Sequence, residues 1–191
     1  GDINNLNNFS FKFDAIESVG VLHHMKDPQK GFNVLSSMLK ENGFFKIGLY
    51  ARSFREKLKP AKNFIKKEIE NKNIESIRRV RKALIENNDE NISFPKTIGD
   101  FYSTSPFIDL LMHEQELDFD ISELKKIYEK KYKFLGFCIN PKYYDMAKSE
   151  YKRTFPKSDI NEIDNWTVLE RKDYKIFASM YQFWLQKNIN Y

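Results

Sequence analysis

One cysteine, Cys138, stands in a chain of 191 residues. A lone thiol forms no intramolecular disulfide and no thiolate metal cluster, and this usage fits a reducing, cytoplasmic setting. Long apolar runs are also missing. No stretch approaches the ~20 residues that span a bilayer, and the opening GDINNLNNFSF has neither the basic start nor the apolar middle of a secretory leader. The chain therefore reads as soluble and not secreted, with no membrane partner. Glycine is scarce, seven residues in all, and they never fall into a dinucleotide-binding pattern; a G-x-S-x-G nucleophile elbow is absent as well. A complete α/β hydrolase or nicotinamide dehydrogenase is thereby excluded.

What is present describes a globular protein. Hydrophobic residues make up 41% and aromatics 15%, whereas disordered chains are poor in aromatics. A chain of this length builds one domain with a real core, burying about 70% of its unfolded surface. The net charge of +5 is uneven: residues 51 to 83 carry twelve Lys or Arg against four Glu, a local +8, leaving −3 for the rest.

The first ten residues, polar and Asn-rich, read as a tail or linker. Phe11, Phe13, Ile16 and Val19 mark an apolar run expected to be a strand buried on both faces. Asp27-Pro28 opens a helix, with Asp as N-cap and Pro at the first position, and Phe32, Leu35, Met38 and Leu39 continue it to a stop at Glu41-Asn42-Gly43. FFKIGLY, residues 44 to 50, is a second buried strand. Strand, helix, strand is the βαβ unit, with parallel strands and a right-handed crossover.

Residues 51 to about 104 break this rhythm as a helical insertion. Phe64, Ile65 and Ile69, then Ile74, Ile77, Val80 and Leu84, give two amphipathic helices parted near Asn71-Lys72-Asn73, followed by a loop from Ser93 to Pro106. A helix capped by Asp120 or Ser122 and running to Tyr132, a strand over 133 to 139, a helical stretch around 160 to 170 and a strand over 180 to 186 complete the chain.

In open α/β sheets ligands lie beyond the carboxyl ends of the strands. His23 and His24 fall there, between the first strand and a helix start, where an imidazole can orient a substrate or accept a proton near neutral pH. The plain alternative has one histidine packed under the helix and the other solvated. Adjacent histidines coordinate one metal poorly and only His113 could join them, so no metal site is assigned.

Phe13-Asp14-Ala15-Ile16, Gly20-Val21-Leu22-His23-His24, Asp27-Pro28, Leu35, Leu39-Lys40, Gly43-Phe44 and the strand to Leu49-Tyr50 resemble the fourth strand, following helix and fifth strand of class I S-adenosylmethionine-dependent methyltransferases, most closely bacterial domains fused to helical repeats. The resemblance continues more loosely through Asp109-Leu110-Leu111, His113, Gln115, Phe134-Leu135-Gly136-Phe137 and Met180-Tyr181-Gln182-Phe183-Trp184. It implies an α/β fold with a partial Rossmann-like methyltransferase sheet, strands four to seven of the order 3-2-1-4-5-7-6, and S-adenosylmethionine as cofactor. Glu17, Ser18, Val19 and Leu22 would line the methionine end of that cofactor. His23 would serve as catalytic residue, and Tyr50, His113 and Gln115 would border the methyl acceptor.

The family's glycine-rich cofactor turn and ribose-binding acid have no counterpart in these residues, and nothing before residue 11 could form three strands. Residues 11 to 191 thus read as the carboxyl-terminal half of a methyltransferase domain, inactive alone, whose exposed strand edge is expected to be covered by another copy or by a complementary N-terminal half. Two further readings follow from the same residues: a non-catalytic oligomerising or interaction module, and a nucleic-acid-binding module based on the basic segment from Arg52 to Lys82.

Overall fold

The structure is a computed structural model and describes residues 2 to 69, 71, 73 to 113 and 115 to 189. The chain divides into two compact units, one formed by Gly1–Phe54 with Gln115–Tyr191 and the other by Arg55–Glu114.

The first unit holds a four-stranded sheet. β1 (Phe13–Val19) leads through α1 (Pro28–Ser37) to β2 (Leu39–Tyr50), followed, after the second unit, by α6 (Ile121–Tyr128), β3 (Tyr132–Phe137), α7 (Pro141–Thr154), α8 (Ile163–Lys172) and β4 (Met180–Lys187). The strand order is β1-β2-β4-β3. β1 and β2 are parallel, with Ile16 opposite Phe45 and Val19 opposite Gly48, while β4 runs antiparallel to both β2 and β3. This is the mixed α/β sheet, in the strand order, that the resemblance implies for strands four to seven.

Alternation along the strands decides which face is core. Phe45, Ile47 and Leu49 of β2 and Tyr181, Phe183 and Leu185 of β4 are buried, and the helices pack on that side. Phe32 of α1 stacks on Phe45 at 5.3 Å, Tyr128 of α6 meets Phe183 at 6.1 Å, and Glu170 of α8 accepts a hydrogen bond from Tyr181.

β1 differs from the expected two-faced burial. Phe13, Asp14, Ala15 and Glu17 are exposed and only Ser18 is buried, because β2 is its sole strand neighbour among the described residues. The first helix also ends earlier than its apolar spacing indicates. α1 stops at Ser37, β2 already begins at Leu39, and the left-handed residue is Asn42 (φ 61°) rather than Gly43. A 3-10 turn over Ile3–Asn8 occupies the N-terminal segment, and α7 fills a stretch for which no helix was expected.

The second unit is helical. α2 (Arg52–Glu68) begins in the first unit and continues into it, followed by α3 (Ile74–Glu86), α4 (Glu90–Ser93), two 3-10 turns and α5 (Thr104–Leu111). Asn73 caps α3 by accepting from the Ser76 amide at 2.8 Å. Its core includes Leu58, Ala61 and Ile65 of α2, Ile77, Val80 and Leu84 of α3, and Phe101 and Phe107. Among the described residues no helix is long and apolar enough to cross a membrane.

Candidate functional site

The polar residues singled out in the sequence gather at the carboxyl tips of β1 and β2. After Val19 the chain turns at Gly20, whose φ of 77° is a left-handed value that suits glycine. A 3-10 turn over Leu22–His24 follows. Asp27 then accepts from the Lys30 amide at 3.0 Å and Pro28 opens α1. The histidines are therefore held between a strand tip and a capped helix start. Leu22 is buried against α1: a Cβ added to Gly31 would come within 2.9 Å of Leu22 Cδ2.

His23 is 0% exposed, and its ring stacks on Tyr50 with centroids 3.6 Å apart and planes 24° from parallel. His24, half-buried, meets both rings edge-on, at 4.3 Å from His23 and 5.5 Å from Tyr50. The segment re-entering this unit lies across the same tips. The Leu117 amide donates to His23 O at 2.8 Å, the Phe119 amide donates to Tyr50 O at 2.9 Å, and His24 Nδ1 sits 3.4 Å from Gln115 O. His23, His24, Tyr50 and Gln115 thus form one cluster. His113 belongs to the other unit.

The residues read as lining the cofactor fall on different sides of β1. Glu17 projects from the exposed face and pairs with Lys46 at 2.8 Å, which raises the Lys46 pKa. Ser18 points to the helix side, 4% exposed, and its Oγ has no hydrogen-bond partner among the described residues. Val19 packs against the bare backbone of Gly48, where an added Cβ would lie 2.7 Å from Val19 Cγ1 and 2.8 Å from Met180 Sδ.

Two groups behind these tips carry no local sequence signal, because their partners lie far apart in the chain. Arg52 donates from Nε to Asp118 at 2.8 Å, from Nη1 to Asp120 at 2.5 Å and from Nη2 to Glu123 at 2.8 Å. Together with the Ala51–Phe119 bridge, this ties the chain leaving the sheet to the chain returning to it. Glu170, 8% exposed, accepts from Ser53 Oγ at 2.6 Å and from the Tyr181 hydroxyl. Burial pushes the Glu170 carboxyl above the usual range, with the two hydrogen bonds opposing and Asp120 adding to the rise.

The chain has a mixed α/β fold whose parallel strand pair gathers imidazole and phenol groups at its carboxyl tips, and that fold has solved counterparts. In particular, it is similar over its whole length to PKMT2 from Rickettsia typhi, with a TM-score of 0.66 and 13% identity, and to the same protein in complex with AdoHcy, with a TM-score of 0.65 and 15% identity. It spans 39% of the length of those chains, and at this identity the likeness is one of fold. An uncharacterized protein of Synechococcus sp. is 42% identical over 48 residues, which are 25% of this chain and 12% of that protein. No family model matches the chain.

Proposed function

We propose that the chain is the carboxyl-terminal part of a class I S-adenosylmethionine-dependent methyltransferase domain and supplies the acceptor-side wall of its pocket. The observation that carries this reading is the end-to-end likeness to a protein solved with AdoHcy, in a chain whose own polar cluster sits at the sheet end where α/β folds bind ligands. The residues fit the cofactor in part. Gly20 leaves open space at the strand tip, since an added Cβ would meet only Met180 Cε at 3.9 Å, and in this reading Val19 borders that space on the methionine side, while Glu17 and Ser18 lie on opposite faces of β1. A glycine-rich turn for the nucleotide is not among these residues.

The cofactor, when bound, supplies an activated methyl group on a sulfonium. The protein then has to align donor and acceptor and, for a protonated acceptor, take up a proton. In this reading Tyr50 and His24 face the acceptor. Buried His23 fixes the Tyr50 ring by stacking, and Gln115 closes the side of the pocket. Where the acceptor carries a proton, His24 or solvent would take it up.

Calorimetry with S-adenosylmethionine and AdoHcy tests this on the 191-residue chain and on the chain extended upstream to the start codon of its gene. The expected result is binding by the extended protein and none measurable by the shorter one. In the extended protein, Tyr50→Ala should lower methyl transfer by at least about tenfold, on the order of 1.4 kcal/mol, with AdoHcy binding retained. An extended protein that binds neither ligand would remove the methyltransferase reading, and tight binding by the 191 residues alone would show that the nucleotide clamp lies within them.

A further inference from the structure

α7 and α8 leave a cleft between them. Tyr151 of α7 packs on Trp166 of α8, with ring centroids 5.0 Å apart, and the Trp166 indole donates to Ile160 O at 2.8 Å. Away from that contact α7 offers only the short side chains of Ala147 and Ser149, and an opening of about 400 Å³ remains between α7, the end of α8 and the 3-10 turn over Tyr174–Ile176. Its floor is Ala147, Leu169 and Ile176, each 3% exposed or less. Met146, 49% exposed, forms an unbranched and adaptable wall. The volume falls within the range of small-molecule pockets, about 300–1,000 Å³.

At the rim one carboxylate serves two cations. Glu150 accepts from Arg153 Nε at 2.9 Å, from Arg153 Nη2 at 2.8 and 2.7 Å, and from Lys172 Nζ at 2.9 Å. Thr154 Oγ1 adds a contact at 3.4 Å, so the acceptor sites of Glu150 are filled. The hydrogen bonds from Lys172 and then Arg153 push its pKa down to about 2, and it is ionised at any pH near neutral. Arg153 Nη1 and one hydrogen of Lys172 Nζ have no acceptor among the described residues. Asp173, the other acid of the rim, is turned to the backbone, accepting from the Lys175 amide at 3.0 Å. Residues 171 to 175 hold three cations against this one acid, and Lys152 precedes Arg153. The unused hydrogen-bonding capacity of the rim is therefore largely donor, and the charge around it is positive.

We propose that this cleft binds a small amphipathic carboxylate. The alkyl or aryl body lies over Ala147, Leu169 and Ile176, against Met146 and the alkyl stems of Arg153 and Lys172, and the carboxylate accepts from Arg153 Nη1 and Lys172 Nζ. A cationic amphiphile meets a filled Glu150 with an ammonium and a guanidinium beside it, and is rejected by charge. An uncharged chain of equal length keeps the apolar contact and loses the charge-assisted bonds. None of these residues belongs to the proposed methyl-transfer pocket, and the binding does not depend on it.

Backbone amide shifts of the isotope-labelled 191-residue chain, followed during titration with octanoate, octan-1-ol and octylammonium, test this. Octanoate should move Ala147, Lys172 and Ile176 saturably, octan-1-ol should bind at least about tenfold more weakly, and octylammonium should not bind. Shortening octanoate to hexanoate and butanoate should weaken binding by at least about twofold per methylene, half of the burial free energy of that group. Arg153→Gln with Lys172→Gln should lower octanoate to the affinity of octan-1-ol, whose own binding is retained. Met146→Glu changes an exposed side chain and leaves the Glu150 cluster in place; it should weaken octanoate by at least about tenfold, and Met146→Gln by less. Octylammonium binding as tightly as octanoate, octanoate binding no tighter than octan-1-ol, or no saturable shift with any of the three would overturn the proposal, as would an affinity that ignores chain length.

Discussion

Glu170 illustrates how a residue with no motif around it acquires a defined setting. It lies on α8, faces Ser53 at the start of α2 and Tyr181 on β4, and has Asp120 as a like-charged neighbour and Arg171 as an opposing one. Burial, the largest influence, holds its pKa above that of an unfolded-chain glutamate. A raised folded-state pKa means that the fold binds the proton more tightly. The stabilisation is therefore complete below the unfolded pKa and is lost as the pH rises through the folded value. Glu170→Gln keeps a carbonyl for Ser53 and Tyr181 without the charge. It should stabilise the chain at pH 8, by an amount that shrinks as the pH falls, and be nearly neutral at pH 4. Urea midpoints across that range check this, and a variant destabilised equally at both pH values would show that the carboxylate is held ionised.

At the scale of elements, α2 shows why part of the fold was legible and part was not. The apolar spacing of Phe64, Ile65 and Ile69 gave its second half, but Pro60 hid the first: a proline eight residues into a helix has no amide for residue 56 and crowds that carbonyl. The structure nonetheless runs the helix through Arg52–Glu68, because Phe54, Leu58 and Ala61 are buried with Ile65 on one stripe. Packing outweighs the local penalty. Pro60→Ala should accordingly raise stability by about 1–3 kcal/mol by denaturant unfolding, and a lower midpoint would mean that the proline's shape is itself part of the packing. β2 and β4 were legible because their apolar density matches a sheet core, and β1 was legible as a strand but not in its burial. α7 was not, since KYYDMAKSEYKRT buries only Ala147 and Tyr151 and offers little apolar period. Within the site, adjacency to a strand tip and a helix cap pointed to His23 and His24, whereas Tyr50 followed only from the family resemblance. The Arg52 contacts span 66 to 71 positions and the Glu170–Ser53 contact 117, which no local pattern records.

For the whole molecule, the distribution of charge bears on whether nucleic acid is a partner. Residues 51 to 83 carry +8, but residues 84 to 114 carry −5, so the compact unit Arg55–Glu114 sums to only +2. Several of the twelve cations are engaged within their own units, Lys59 with Glu56 and Lys82 with Glu86 among them. Arg52 meets three carboxylates, Arg55 donates to Leu110 O at 3.1 Å, and Arg81 lies over the Phe107 ring at 4.8 Å. The outward set on α2 and α3 includes Lys66, Lys67, Arg78 and Arg79. Roughly four phosphate contacts give binding whose logarithm falls with log salt at a slope near −4, a loss of about 50-fold between 0.05 and 0.15 M. Mobility shifts with duplex DNA or tRNA should thus appear at low salt and vanish near 0.15 M, and Arg78→Glu with Arg79→Glu should remove the low-salt shift. A shift that persists at 0.15 M and survives the double substitution would mean that the phosphates are read by a different surface, and would make nucleic acid a specific partner of this chain.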